Sequence, residues 1–150
     1  MSLSGPLGHV QSDGIVRLAD SVLQLPVPAV IDHLGRVDMP EDEDRVASHA
    51  LLCLLDSGKV WVKTSGADRV SRQGPPFRDA VTLPAELVAH APQRVVWGTD
   101  FPHPNIIGDA PDDGLLVDLL ADIAPGEPAR HRLLVLNPAE LFGFDRLDES

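Results

Sequence analysis

Hydrophobic residues in this chain fall into two kinds of run, one continuous and one periodic. The continuous runs are short and rich in valine or isoleucine: Ala29-Val30-Ile31, Val60-Trp61-Val62 and Val95-Val96-Trp97. Each follows a turn signal, in Pro26-Val27-Pro28, Asp56-Ser57-Gly58 and Pro92-Gln93-Arg94 respectively. Unbroken apolar runs of this length suit strands buried on both faces, as in a parallel sheet. The periodic segments lie between them. Residues 14–25 carry Ile15, Leu18, Val22 and Leu25 at helical spacing. Residues 44–55 carry Val46, Ala50, Leu51, Leu54 and Leu55, and residues 79–90 carry Ala80, Leu83, Leu87 and Val88. Residues 112–123 place Leu115, Leu116, Leu119 and Leu120 on one face. The tail reads as a helix over 127–136, a break, and a helical turn over 137–142.

The order helix, strand, helix, strand, helix, strand, helix implies βαβ units and a parallel sheet. The spacing agrees: 31 residues separate Asp32 from Lys63, and 35 separate Lys63 from Gly98, against about 30 or more for one unit. His9-Val10-Gln11 reads as the stump of an earlier strand. The acidic run Glu41-Asp42-Glu43-Asp44 reads as a solvated loop and helix start.

Length sets a limit on this architecture. The 150 residues make one domain but fall short of a complete (β/α)₈ barrel, which takes about 250. The formal charge of −11 repels phosphate backbones and argues against nucleic acid as a partner. No apolar run reaches the ~20 residues of a membrane span. The N-terminus lacks the basic start and apolar stretch of a secretory signal. The single cysteine, Cys53, excludes an internal disulfide, reads as a small buried core residue, and fits a cytoplasmic protein.

Chemistry in parallel α/β folds gathers at the carboxyl ends of the strands. The three runs lead into Asp32-His33-Leu34-Gly35-Arg36, Lys63-Thr64-Ser65-Gly66-Ala67-Asp68-Arg69 and Gly98-Thr99-Asp100-Phe101-Pro102-His103-Pro104. Ionisable groups and glycines follow every strand. Asp100 can serve as a general base toward water, and His33 can polarise a carbonyl, bind a metal or position Asp100. Arg36 and Arg69 are forked and permanently charged, which suits a substrate bearing carboxylates. Ser65 and His103 complete the candidate substrate-binding set. Each residue also has a plainer reading. Asp32 and Asp100 can cap their own turns, and the arginines can pair with nearby acids at the surface. His49, His90 and His131, on helices, are assigned no chemistry.

The segments "VIDHLGR" from Val30, "VWVKTSG" from Val60, "RVVWGTDFPHP" from Arg94 and "NPAELFG" from Asn137 resemble the amidohydrolase-related superfamily of TIM barrels. Within it, the branch of 2-pyrone-4,6-dicarboxylate hydrolases is the most similar. The resemblance runs from about Gly8 to Phe144. It implies the C-terminal part of a (β/α)₈ barrel, with His33 ending the sixth strand and Asp100 the eighth. It implies hydrolysis of a small carboxylated lactone. His33 would bind or polarise the scissile carbonyl. Asp100 would take a proton from water and return it to the leaving oxygen. Arg36 and Arg69 match arginines that grip substrate carboxylates. Many relatives use a divalent metal, commonly zinc, while the pyrone-dicarboxylate branch works without one. The family's His-x-His pair, at the end of the first strand, occurs nowhere in these residues, and Asp68 stands where the family usually has an aromatic residue. The resemblance therefore implies a truncated remnant, or a half that self-associates or needs a partner half-barrel. The remaining reading is a small anion-binding α/β domain.

Overall fold

A computed structural model describes residues 13–37, 45–104, 106 and 108–144. The stump at residues 9–11 and the acidic run at 41–44 lie outside the described residues. Helix α1 spans Asp13–Leu23, followed by strand β1 at Ala29–Ile31 and a tight turn at His33–Arg36. Then come α2 at Arg45–Asp56, β2 at Val60–Thr64, a short α3 at Ala67–Val70, α4 at Thr82–His90 and β3 at Val95–Trp97. After β3 lie α5 at Asp113–Asp118, α6 at Leu120–Ile123, α7 at Glu127–His131 and α8 at Asn137–Phe142. A π-helical turn at Arg132–Leu136 joins α7 to α8.

The strands form one parallel sheet in the order β1-β2-β3. Val30 stands beside Trp61, and Lys63 beside Val96. Three parallel strands with flanking helices are the arrangement expected of the C-terminal part of a (β/α)₈ barrel. Side chains alternate across a strand, so the two faces differ. Ala29, Ile31, Val60, Val62 and Val95 pack into a core with Leu51, Leu54 and Leu55 of α2 and Leu83 and Leu87 of α4. Val30, Lys63 and Val96 lie on the opposite face. There, with Asp32, Trp97, Pro138, Phe142 and Phe144, they line an open cavity of about 520 Å³. No helix among the described residues is long and apolar enough to cross a membrane.

Helical faces are set more narrowly than apolar spacing suggests. In α2 the buried stripe is Ala47, Ser48, Leu51, Leu54 and Leu55. Val46, expected on that face, is 65% exposed. Cys53, expected in the core, is exposed as well. Positions 46, 49 and 53 form one outward row, each a turn apart, and the Cys53 thiol lies 3.6 Å from His49 Nδ1. In α1 the inward positions are Ile15 and Val22, while Leu18 is about half exposed. The segment over 112–123 is broken at Leu119 into α5 and α6. Asp112 caps α5 by accepting from the Gly114 amide at 2.8 Å.

The C-terminal helix is fastened to the sheet at its first residue, Asn137. Asn137 is 1% exposed, and its amide nitrogen donates to the carbonyls of Pro92 at 2.7 Å and Val95 at 2.6 Å. Nearby, the Arg94 guanidinium lies 4.8 Å over the Trp61 ring and pairs with Glu140 of α8. Asn137→Ala removes the donor from the buried Val95 carbonyl and from the part-buried Pro92 carbonyl. At about 1–3 kcal/mol for a buried group left without its partner, unfolding in urea should show a loss of ~2–4 kcal/mol. A loss below ~0.5 kcal/mol would mean that Asn137 does not anchor α8.

Candidate active site

Parallel register places the carboxyl ends of all three strands at one end of the sheet, and the polar residues meet there. Ser65, just past β2, lies 2.9 Å through Oγ from Nδ1 of His33, just past β1. The other ring nitrogen of His33, Nε2, lies 3.5 Å from Oδ1 of Asp100, past β3. Oδ2 of Asp100 accepts from Arg69 Nε at 3.0 Å and from a terminal nitrogen of the same guanidinium at 2.6 Å. That terminal nitrogen also donates to the Pro104 carbonyl at 2.8 Å. Ser65, His33, Asp100 and Arg69 thus make one continuous polar chain across three strand ends. The Arg69 and Asp100 side chains are 18% and 10% exposed, so the pair is largely shielded from water. Neither Asp32 nor Asp100 takes the capping role open to it in the sequence. Asp32 makes no side-chain cap to the turn that follows it, and Asp100 is engaged with Arg69.

The backbone bends hard to achieve this. His33, Leu34, Gly35 and Arg36 all have positive φ, between 51° and 63°. Asp100 at 76° and His103 at 55° share that left-handed region. It costs a side-chain-bearing residue roughly 1–2 kcal/mol, and such strain concentrates at functional sites. Gly66 is required twice over. Its φ is +77°, and a β-carbon there would sit 3.2 Å from Arg69 Cδ and 3.3 Å from His33 Nδ1.

Two expected site residues stand apart from the polar chain. Arg36 is exposed on the left-handed turn. His103 is buried, with Nε2 2.9 Å from Asp113 Oδ1 at the start of α5. Its backbone amide donates to the Asp100 carbonyl at 2.7 Å. A pair that the sequence reading left out lies beside the polar chain: Lys63 Nζ is 3.6 Å from Asp32 Oδ1, and both line the open cavity. The alternation of β2 was the available signal. Extending that strand by two residues puts Lys63 on the face of Trp61.

Burial pushes His33 below the ordinary histidine value of about 6.5. Lys63 and Arg69 act in the same direction, while Asp100 and Asp32 oppose them. His33 is therefore neutral at pH 7. The Asp100 carboxylate can only accept, so the ring proton belongs on Nε2 and Nδ1 accepts from the Ser65 hydroxyl.

No group of three or more His, Cys, Asp or Glu side chains among the described residues is placed to ligate an ion. Oδ2 of Asp100 is already filled by a permanent cation.

A carboxylate, an imidazole and an arginine thus meet at the ends of three parallel strands, and comparison with known proteins gives the class of this fold. The amidohydrolase family (Amidohydro_2) matches residues 9–144; the chain belongs to that family. It is 44% identical over 137 residues to a 4-sulfomuconolactone hydrolase of Hydrogenophaga intermedia, covering 90% of this chain and 45% of that protein. It is 39% identical over 143 residues to a 2-pyrone-4,6-dicarboxylate hydrolase of Comamonas testosteroni, covering 89% and 47%. Among solved structures it superposes on Agrobacterium tumefaciens ATU3138 with a TM-score of 0.79 and 34% identity, covering 91% of this chain and 50% of that one. A Burkholderia multivorans amidohydrolase, solved with bound zinc, shares the fold at a TM-score of 0.66 and 19% identity, covering 91% and 51%. The chain spans about half the length of the curated relatives it matches.

The lowered affinity of His33 for protons has a sign. Between its folded value and ~6.5 the unfolded state binds more protons, so stability rises with pH there and falls on acidification. The His33 ring protons, followed by NMR, should titrate below pH 6.5. In His33→Gln the dependence of the unfolding midpoint on pH on the acid side of ~6.5 should flatten. A His33 midpoint above 6.5 would contradict this environment.

Proposed function

We propose that this chain supplies the base-bearing half of a site that hydrolyses a small lactone carrying anionic groups. The observation that supports this most is the polar chain Ser65–His33–Asp100–Arg69, built from three adjacent strand ends. The relatives' names describe lactone rings bearing carboxylate or sulfonate groups, and the reading takes that substrate class from them.

The geometry divides the labour. Arg69 grips one oxygen of Asp100 and leaves Oδ1 turned toward His33. Oδ1 takes a proton from the attacking water, whose oxygen bonds to the lactone carbonyl carbon. The neutral His33 donates from Nε2 to the carbonyl oxygen as negative charge builds there, with Ser65 fixing the ring from behind. The ring C–O bond then breaks, and Asp100 returns the proton to the departing oxygen. Atoms and charge balance: one water is consumed and one hydroxy acid is released. The 3.5 Å between Nε2 and Oδ1 is at the outer edge of hydrogen-bond length, so Nε2 is free to turn to the carbonyl oxygen and Oδ1 to the water.

This reading puts the rest of the barrel across the mouth of the open cavity beside Val30, Val96 and Trp97, closing it over the substrate. That half would come from another segment or another chain. By itself, the present half should bind an anion weakly and open no lactone.

A chimera tests the proposal. Residues 13–144 of this chain would replace the matching half of the Hydrogenophaga 4-sulfomuconolactone hydrolase, with ring opening followed by absorbance. The folded chimera should turn over the lactone, and Asp100→Asn should cut kcat by roughly 10²–10⁴-fold, the usual contribution of general acid–base catalysis. KM should change little. A folded chimera without activity, or one whose activity survives Asp100→Asn, would contradict the proposal.

A further inference from the structure

Resting on the lactone reading, we infer that Lys63, steered by Asp32, is the residue of this half that holds the anionic group of the substrate. The resemblance assigns that role to Arg69 and Arg36, and the structure distributes the charges differently. Arg69 spends its Nε and one terminal nitrogen on Asp100, and the latter also on the Pro104 carbonyl. It is the cation that orients the base. Arg36 sits exposed on the outer turn. Lys63 alone among these three cations lines the cavity of about 520 Å³.

Three features prepare Lys63 for an oxyanion. Its ammonium lies 3.6 Å from Asp32 Oδ1. That is close enough for charge to position it, but beyond hydrogen-bond length, so its three donors are not locked. Its stem runs across Gly98, where a β-carbon would stand 3.4 Å from Lys63 Cε. That is van der Waals distance, so the stem rests on the Gly98 backbone. Finally, its ion-pair partner Asp32 directly precedes His33 in the chain. An anionic group on Lys63 therefore lies at the strand end that also carries the imidazole. Trp97 lines the same cavity, offering an aromatic wall to a flat ring and an optical probe of its arrival.

The test is equilibrium binding of pyrone-4,6-dicarboxylate to the 150-residue chain, read by tryptophan fluorescence and calorimetry. A charge-assisted contact is worth a factor of about 10–100 in affinity. Lys63→Met, which keeps the stem and removes the charge, should weaken binding by that factor. Lys63→Arg should restore most of it, and Arg69→Met should cost less than Lys63→Met. Unchanged affinity in Lys63→Met, an equal or larger loss in Arg69→Met, or no binding to the unmodified chain would each overturn the assignment. Failure here, with a chimera that turns over and depends on Asp100, would remove Lys63 from its role and leave the lactone reading intact.

Discussion

A guanidinium and a carboxylate shielded from water at the end of a sheet must satisfy one another, and the geometry of this molecule follows from that requirement. Arg69 leaves β2 through the short helix α3, and Asp100 follows β3 directly. Their two contacts on a single oxygen, at 2.6 and 3.0 Å, tie two strand ends together where no backbone ladder reaches. Leaving either partner alone would expose the other to the cost of an unpaired buried charge. Because Arg69 claims Oδ2 only, Oδ1 is left for His33, and through His33 the constraint passes to Ser65. One ion pair therefore orients a carboxylate, an imidazole and a hydroxyl drawn from three loops.

The strain in the backbone is the counterpart of this arrangement. His33 and Asp100 both occupy left-handed conformations that a free loop of these residues would leave. Apolar packing behind the strands holds the loops in place. Leu34, in the middle of the left-handed turn, is 2% exposed and belongs to the same core as Val60, Val62 and Val95. His103 secures the third loop from the other side through Asp113. Its role in the structure is to stiffen the loop that carries Asp100.

The sheet was readable from sequence because its signals are local. Three valine-rich runs at βαβ spacing have few other folds to join, and residues placed straight after a parallel strand share one end. His33, Ser65, Arg69 and Asp100 were found that way. What local pattern does not carry is which face of a helix turns inward and which partner a charged group takes. Val46 and Cys53 fit an apolar spacing of four or seven as well as the buried residues do, and only the packing of α2 on the sheet selects between rows. Arg69 carries the same charge whether it meets a substrate or Asp100; the path of α3 decides. Lys63 was passed over because the apolar run stops at Val62, although the strand continues to Thr64.

The central claim is that Arg69 and Asp100 act as one unit that the rest of the site depends on. A double-mutant cycle measures this directly, using urea unfolding of the parent chain, Arg69→Met, Asp100→Asn and the double variant. For contacting groups in one network the account predicts a coupling of about 1–3 kcal/mol, with the double variant losing less stability than the two single changes summed. Additive losses, with coupling within ~0.3 kcal/mol of zero, would show that the two side chains are neighbours without being partners.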